Sequence, residues 1–258
     1  MSAAGVVVTG AGHGIGRALA ARWAAEGARV VVNDLDTEAV EKVAAEIGGQ
    51  AVPGDISTEA GVAALISTAE ERLGGIEVFC ANAGIDRGHG LAAAEEDWAA
   101  ALDVNLLAHV RAARLLVPRW LERGGGRFVV TASAAGLLTM LGGPAYSVTK
   151  HGAVAFAEWL SATYRHRGVR VHAICPQGVK TRMLAEAGPY QELLSHDSAL
   201  EPEDVAEALW QAIAEDRFLV LPHPEVADYY IGRATQTDRW LSGMNRLQQQ
   251  IERQVEQG

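Results

Sequence analysis

The sequence predicts an α/β domain in which a doubly wound, mostly parallel seven-stranded sheet carries helices on both faces. Three observations predict it. Short β-branched runs alternate strictly with longer stretches of helical periodicity along 258 residues. The strand-like runs, such as "GVVVTG" and "ARVVVND", are apolar almost throughout, as strands covered on both faces are. No linker, repeat or low-complexity segment interrupts the alternation, so one domain over residues 1–258 is the economical partition. A composition of 49 % hydrophobic and 21 % charged residues can supply the core.

The elements follow in order. "GVVVTG" (5–10) reads as a buried strand, and 14–27 as a helix with Leu19 and Trp23 on one face. "ARVVVND" (28–34) is the second strand. The helix over 36–49 opens at Asp36 or Thr37, both suited to an N-cap, and stops at a Gly-Gly pair. A short third strand (50–55), a helix (58–75) and a fourth strand, "IEVFCANAG" (76–84), come next. A long helical region covers 95–122 and a fifth strand 126–133. A helix over 146–168 and a sixth strand (169–176) precede a less regular stretch to about 200. Helix 202–216 and the strand "RFLVLP" (217–222) complete the sheet. In the tail, near 238–256, Trp240, Met244, Leu247, Ile251 and Val255 fall at helical spacing. This amphipathic helix has two readings, packing on its own subunit or forming a subunit interface.

Several function classes are disfavoured. A net charge of −10 opposes binding to nucleic acid or anionic lipid. No apolar run reaches the roughly 18 residues of a membrane helix, and the start "MSAAGVVVTG" lacks the basic region of a signal peptide. Cys80 and Cys175 lie in apolar strand-like runs and read as buried free thiols, so a cytoplasmic protein is expected. The eight histidines show no ligand spacing, and no metal site is expected.

The chemistry begins at "TGAGHGIG" (9–16), between the first strand and the first helix. Gly10, Gly14 and Gly16 permit positive φ and a close approach of backbone to ligand. The helix behind them offers free N–H groups and a positive dipole end to a phosphate. Asp34 closes the second strand, where a carboxylate accepts from adenosine ribose hydroxyls and repels a 2′-phosphate. The pattern is that of a Rossmann-type dinucleotide site preferring NAD over NADP, with His13 and Arg17 nearby as complications. A second motif is "AYSVTKHGA" (145–153), in which Tyr146 and Lys150 share one face of a helix.

With these motifs the sequence resembles the classical short-chain dehydrogenase/reductase family over about residues 5–222. "TGAGHGIG" is similar to that family's cofactor loop, and "GDI" (54–56) to the acidic position after its third strand. "ANAG" (81–84) is similar to its N-A-G turn. Asn105 falls at its helix asparagine, Ser133 stands 13 positions before Tyr146, and Lys150 completes Y-x-x-x-K. The resemblance implies catalytic roles for Asn105, Ser133, Tyr146 and Lys150. It implies cofactor contacts from Gly10, Gly12, His13, Gly14, Ile15 and Gly16, and from Asp34, Leu35, Asp55 and Ile56. Asn82, Ala83, Gly84, Tyr146, Lys150, Pro176, Gln177, Val179 and Thr181 complete that set. Asp55 is implied near the adenine amino group, and Asn105 as holder of a water that links Lys150 to solvent. A homotetramer with the 146–168 helix at an interface is also implied.

Hydride transfer to or from a nicotinamide leaves a proton to move on the substrate oxygen. A free tyrosine, with a pKa near ~10, is a poor base at neutral pH, and the Lys150 ammonium is expected to favour its phenolate. Ser133 would hold the substrate oxygen beside Tyr146, although a serine there also suits an ST-turn. The sequence departs from the family at "PQGVKT" (176–181), where Gln177 replaces a glycine. Gln177 either narrows the pocket or points outward with Gly178 relieving the backbone. Expected pocket walls are 85–91, 134–143 and 182–196, with 182–200 as a lid ordering on binding. Their apolar content suggests a hydrophobic secondary alcohol or ketone. A redox-silent NAD sensor on the same fold is the rival, but such a sensor has no need of Ser133, Tyr146 and Lys150 together.

Overall fold

The structure, a computed structural model, describes residues 4–191 and 199–257, with side chains as far as residue 254. Seven strands form one sheet: β1 (Gly5–Thr9), β2 (Arg29–Asn33), β3 (Gln50–Ala51), β4 (Val78–Ala81), β5 (Gly126–Thr131), β6 (Val169–Ile174) and β7 (Leu219–Val220). Their order is β3-β2-β1-β4-β5-β6-β7 and every pairing is parallel. The chain leaves β1 in one direction and returns to its other side at β4, which opens a crevice at the carboxyl ends of these two strands.

The alternation of side chains along each strand builds two cores. Val7 and Phe79 join the core on one face with Leu116, Trp120 and Leu160. Val6, Val8 and Cys80 face the other side with Leu19, Trp23 and Leu209. Helices α1 (Gly14–Ala25) and α2 (Thr37–Ile47) belong to the second layer, and α3 (Glu59–Leu73) to the first. Asp36 caps α2 by accepting from the Ala39 N–H, and Gly48 ends it in the left-handed conformation.

The edge strands are shorter than the sequence suggests. β3 keeps only Gln50–Ala51 of 50–55 as regular strand, although the Val52 and Gly54 N–H groups still donate to the Val32 and Asp34 carbonyls at 2.9 and 3.0 Å. β7 keeps only Leu219–Val220 of 217–222, with Pro222 just beyond it. The helical region 95–122 is unbroken but not uniform. It is α4 (Glu95–Leu102), a π-helical turn over Asp103–Leu107, and α5 (Ala108–Glu122), which contains Pro118. Helix α6 (Pro144–Tyr164) passes into a 3₁₀ turn before Gly168 at φ 87°.

Beyond β6 lie α7 (Arg182–Ala185), a 3₁₀ turn over Gly188–Tyr190, and α8 (Pro202–Ala214). Of the stretch expected as a lid, residues 192–198 lie outside the described residues. Trp210 on α8 meets Trp23 on α1 edge to face, with ring centroids 5.0 Å apart. A helix that the periodicity did not single out, α9 (Val226–Thr235), leads into α10 (Thr237–Gln257). α10 packs on its own chain, with Ile251 buried; the Val255 side chain lies outside the described residues. No helix among the described residues is long and apolar enough to cross a membrane.

Candidate active site

A single cleft of about 900 Å³ runs along the carboxyl ends of the strands, from the loop after β1 to the start of α6 and under α10. All the sequence-predicted site residues line it except two. Gly12 and Asn105 stand behind the wall and hold its parts in place.

The glycine loop forms one end. Gly10 and Gly14 adopt φ of 63° and 50°, the left-handed region that favours glycine. A Cβ on Gly16 would lie 2.1 Å from the Gly10 carbonyl oxygen, so only glycine lets α1 start this close to β1. His13 precedes the helix without a side-chain cap, leaving the first N–H groups of α1 directed at the cleft. The Thr181 methyl covers the loop, 2.9 Å from where a Cβ on Gly14 would stand. Asn82 fastens the neighbouring turn by donating to the carbonyls of Thr9 and Gly10 at 3.0 and 3.1 Å. Asp34 accepts from the N–H groups of Gly12 and Asp36 at 2.9 and 3.1 Å, so its carboxylate is fixed at the end of β2. Asp55 accepts from the backbone and hydroxyl of Ser57, both at 2.8 Å. Arg17 is drawn away to Glu46 at 2.9 Å. This end fits a dinucleotide: a cradle of backbone that side chains would fill, a helix N-terminus, and a fixed carboxylate at the end of β2.

The other end holds the reactive side chains. Ser133 ends the loop after β5, and its Oγ accepts from the Ala135 N–H at 3.1 Å. Ser133 thus makes the ST-turn contact, and that bond leaves its hydroxyl hydrogen free to donate into the cleft. Tyr146 and Lys150 occupy one face of α6 and are 8 % and 2 % exposed. The Lys150 ammonium donates to the Thr131 carbonyl at 2.8 Å and lies 5.5 Å from the Tyr146 ring centroid. Burial pushes Lys150 down to about 8. Burial also pushes the Tyr146 phenol up to about 12, against a hydrogen bond from Ser133 that lowers it and the Asp86 charge that raises it further. The sequence argument expected Lys150 to depress this value. In the chain alone desolvation wins, and the phenol is held protonated.

Asn105 lies in the π-helical turn, completely buried. Its Oδ1 accepts from the Ile85 N–H at 2.8 Å, while its Nδ2 donates to the Ile85 carbonyl at 2.9 Å and to Thr149 Oγ1 at 3.0 Å. The turn thereby clamps the loop after β4 to α6. A Cβ on Gly84 would stand 3.2 Å from Lys150 Nζ and 3.3 Å from Asn105 Oδ1, which explains the glycine of the N-A-G turn. Gln177 donates its backbone N–H to His223 Nδ1 at 3.2 Å, and its Oε1 is buried without a partner. The side chain thus lines the cleft rather than pointing outward.

Sequence reasoning missed part of the wall. Tyr229, Trp240, Met244 and Leu247 line the cleft from α9 and α10, facing Met140, Leu184 and Tyr190. The 240/244/247 spacing was a legible signal, but periodicity does not say what an apolar face covers. Asp86 also lines the cleft, within the 85–91 segment expected as a wall.

Comparison with known proteins agrees with this geometry. The family model for short chain dehydrogenases matches residues 4–192. A curated relative, the 1-deoxy-11-beta-hydroxypentalenate dehydrogenase of Streptomyces exfoliatus, is 39 % identical over 228 residues, covering 85 % of this chain and 82 % of its own length. Among solved structures, a short chain dehydrogenase/reductase from Burkholderia phymatum in complex with NAD superposes with a TM-score of 0.84 at 30 % identity, covering 92 % of this chain and 95 % of that one. A variant of actinorhodin polyketide ketoreductase with NADPH gives 0.79 at 27 % identity, covering 85 % and 95 %. The seven-stranded parallel sheet, the glycine loop and the extent of the match lead to one conclusion: this chain is an oxidoreductase belonging to the short-chain dehydrogenase/reductase family.

Proposed function

We propose that the protein interconverts a bulky, mainly apolar secondary alcohol and its ketone, using NAD(H), with Tyr146 as general acid and base. The observation that carries this reading is the cleft itself. It joins a glycine cradle at one end to Ser133, Tyr146 and Lys150 at the other, under an apolar roof. A bound nicotinamide supplies or accepts the hydride. The chain's own groups handle the oxygen and its proton. In the reducing direction Ser133 donates to the carbonyl oxygen, and Tyr146, held protonated by burial, delivers its proton as the oxygen becomes an alkoxide. Lys150, charged below about 8, stabilises the phenolate left behind. Asn105 positions the Ile85 loop and α6 and, as the family resemblance implies, would hold a water that links Lys150 to solvent. Oxidation runs the same steps backwards.

NAD is favoured over NADP by the fixed Asp34 carboxylate, which would repel a 2′-phosphate, and by the engagement of Arg17 with Glu46. The apolar roof of Trp240, Met244 and Leu247 supports a hydrophobic substrate. Exposed Val148 and Trp159 on α6, 53 % and 54 % accessible, support a homo-oligomer, a tetramer for choice, built through that helix. A monomeric mass by light scattering would contradict that assembly. The two buried free cysteines support a cytoplasmic location, which tracking a tagged chain by cell fractionation would check. The central test is Tyr146→Phe assayed with NAD and a panel of alicyclic secondary alcohols. Turnover should fall by about 10²–10⁴-fold while NADH binding, followed by its fluorescence, persists. Near-normal turnover would overturn the assignment, and a wild-type chain that binds NADH tightly but oxidises nothing would point to a sensor.

A further inference from the structure

The loop after β4 carries a carboxyl group that the fold does not use. Asp86 lies two residues beyond the N-A-G turn. Its backbone is fixed, because the preceding Ile85 gives both its N–H and its carbonyl to Asn105. The side chain is half-buried and faces the cleft. Its Oδ1 is buried without a hydrogen-bond partner among the described residues. It caps no helix and forms no ion pair among them. A buried acceptor left unmatched is costly, and such groups are kept where a ligand supplies the missing donor.

The location says which donor. Asp86 Oδ1 and Tyr146 Cβ both lie within 4 Å of one point, where a Cβ on Gly143 would stand. The charge of Asp86 reaches the Tyr146 hydroxyl, as its effect on that phenol shows. The acceptor therefore borders the same end of the cleft as the acid-base residue, where it can meet a second polar group of a substrate held there. We propose that Asp86 is a specificity-determining residue that accepts a hydrogen bond from a second hydroxyl on the substrate, close to the carbon being oxidised or reduced. The preferred substrate is then a vicinal diol or hydroxyketone set in an apolar skeleton. A hydroxyl suits the site better than an ammonium, because Lys150 already brings a cation to the cleft and His89 lies within electrostatic reach of Asp86. This deepens the alcohol–ketone reading above and rests on it.

The test compares cyclohexanol, cis- and trans-1,2-cyclohexanediol and 2-aminocyclohexanol on the full chain. Wild type should favour one diol isomer over cyclohexanol in kcat/KM by about ten-fold or more, the discrimination expected of a hydrogen bond to a charged acceptor. In Asp86→Ala that ratio should fall to about one. Asp86→Asn, which keeps a carbonyl acceptor, should retain part of it. Equal ratios in wild type and Asp86→Ala, or a preference for the amino alcohol, would overturn the proposal. The same probes titrated against the enzyme–NADH complex by calorimetry give a second reading independent of turnover. If no alcohol is oxidised, the diol should still bind more tightly than cyclohexanol to wild type and not to Asp86→Ala. Equal affinities would refute the role of Asp86, whereas silent turnover with this preference intact would refute only the redox reading.

Discussion

Lys150 and Tyr146 are pushed by the same burial in opposite directions, and this fixes the pH behaviour of the site. Lys150 is lowered to about 8 and Tyr146 raised to about 12, so between neutrality and about 8 the pair is cationic and protonated. That state suits carbonyl reduction. As pH rises through about 8 the lysine loses its proton, and with it the charge we propose stabilises the phenolate. We expect kcat/KM for ketone reduction to be level below that point and to fall by up to about ten-fold per pH unit above it. A plateau unbroken to high pH would contradict the role of Lys150. The identity of these residues was legible because side-chain spacing on a helix is set by its pitch. Their acidities were not, because desolvation depends on what covers them. Gly16 shows the same division. Its place in the loop could be read, but the carbonyl 2.1 Å from its absent Cβ could not.

At the scale of elements, the π-helical turn between α4 and α5 has the most leverage. It places Asn105 so that one amide serves both backbone groups of Ile85 and the Thr149 hydroxyl. Such turns insert a residue into a helix and recur at functional sites. Asn105→Ala would leave the Ile85 N–H and carbonyl unmatched in a buried setting. Thermal or urea unfolding should register a loss of about 1–3 kcal/mol. Turnover should fall with it, since Gly84, just before Ile85, lies against the Lys150 ammonium. Unchanged stability would mean that water replaces the amide without cost. The sequence suggested a helical region over 95–122 and the structure has one, but the π-helical turn within it was not legible, since a single inserted residue hardly disturbs hydrophobic periodicity. The central strands were legible as apolar runs, and the edge strands, paired on one side only, are shorter as regular strand than the stretches that suggested them.

Over the whole molecule, the sheet divides the labour. Its switch point between β1 and β4 sets the cradle, and the long way round to β6 and beyond brings back the apolar roof. That roof is tied down. Arg233 on α9 donates to the Leu137 carbonyl at 2.8 Å, just after the Ser133 turn, and its guanidinium lies 5.8 Å from the Trp240 ring centroid. The consequence lies in the timing of the catalytic cycle. For a bulky alcohol we expect the product beneath α10 to leave as that helix yields, so that departure rather than bond cleavage sets the maximal rate. A carbinol-deuterated substrate should then give an isotope effect on kcat near unity. Weakening the tether with Arg233→Ala, or ending the chain at Gln236, should expose the effect. A large isotope effect already present in the intact chain would show that its products leave freely.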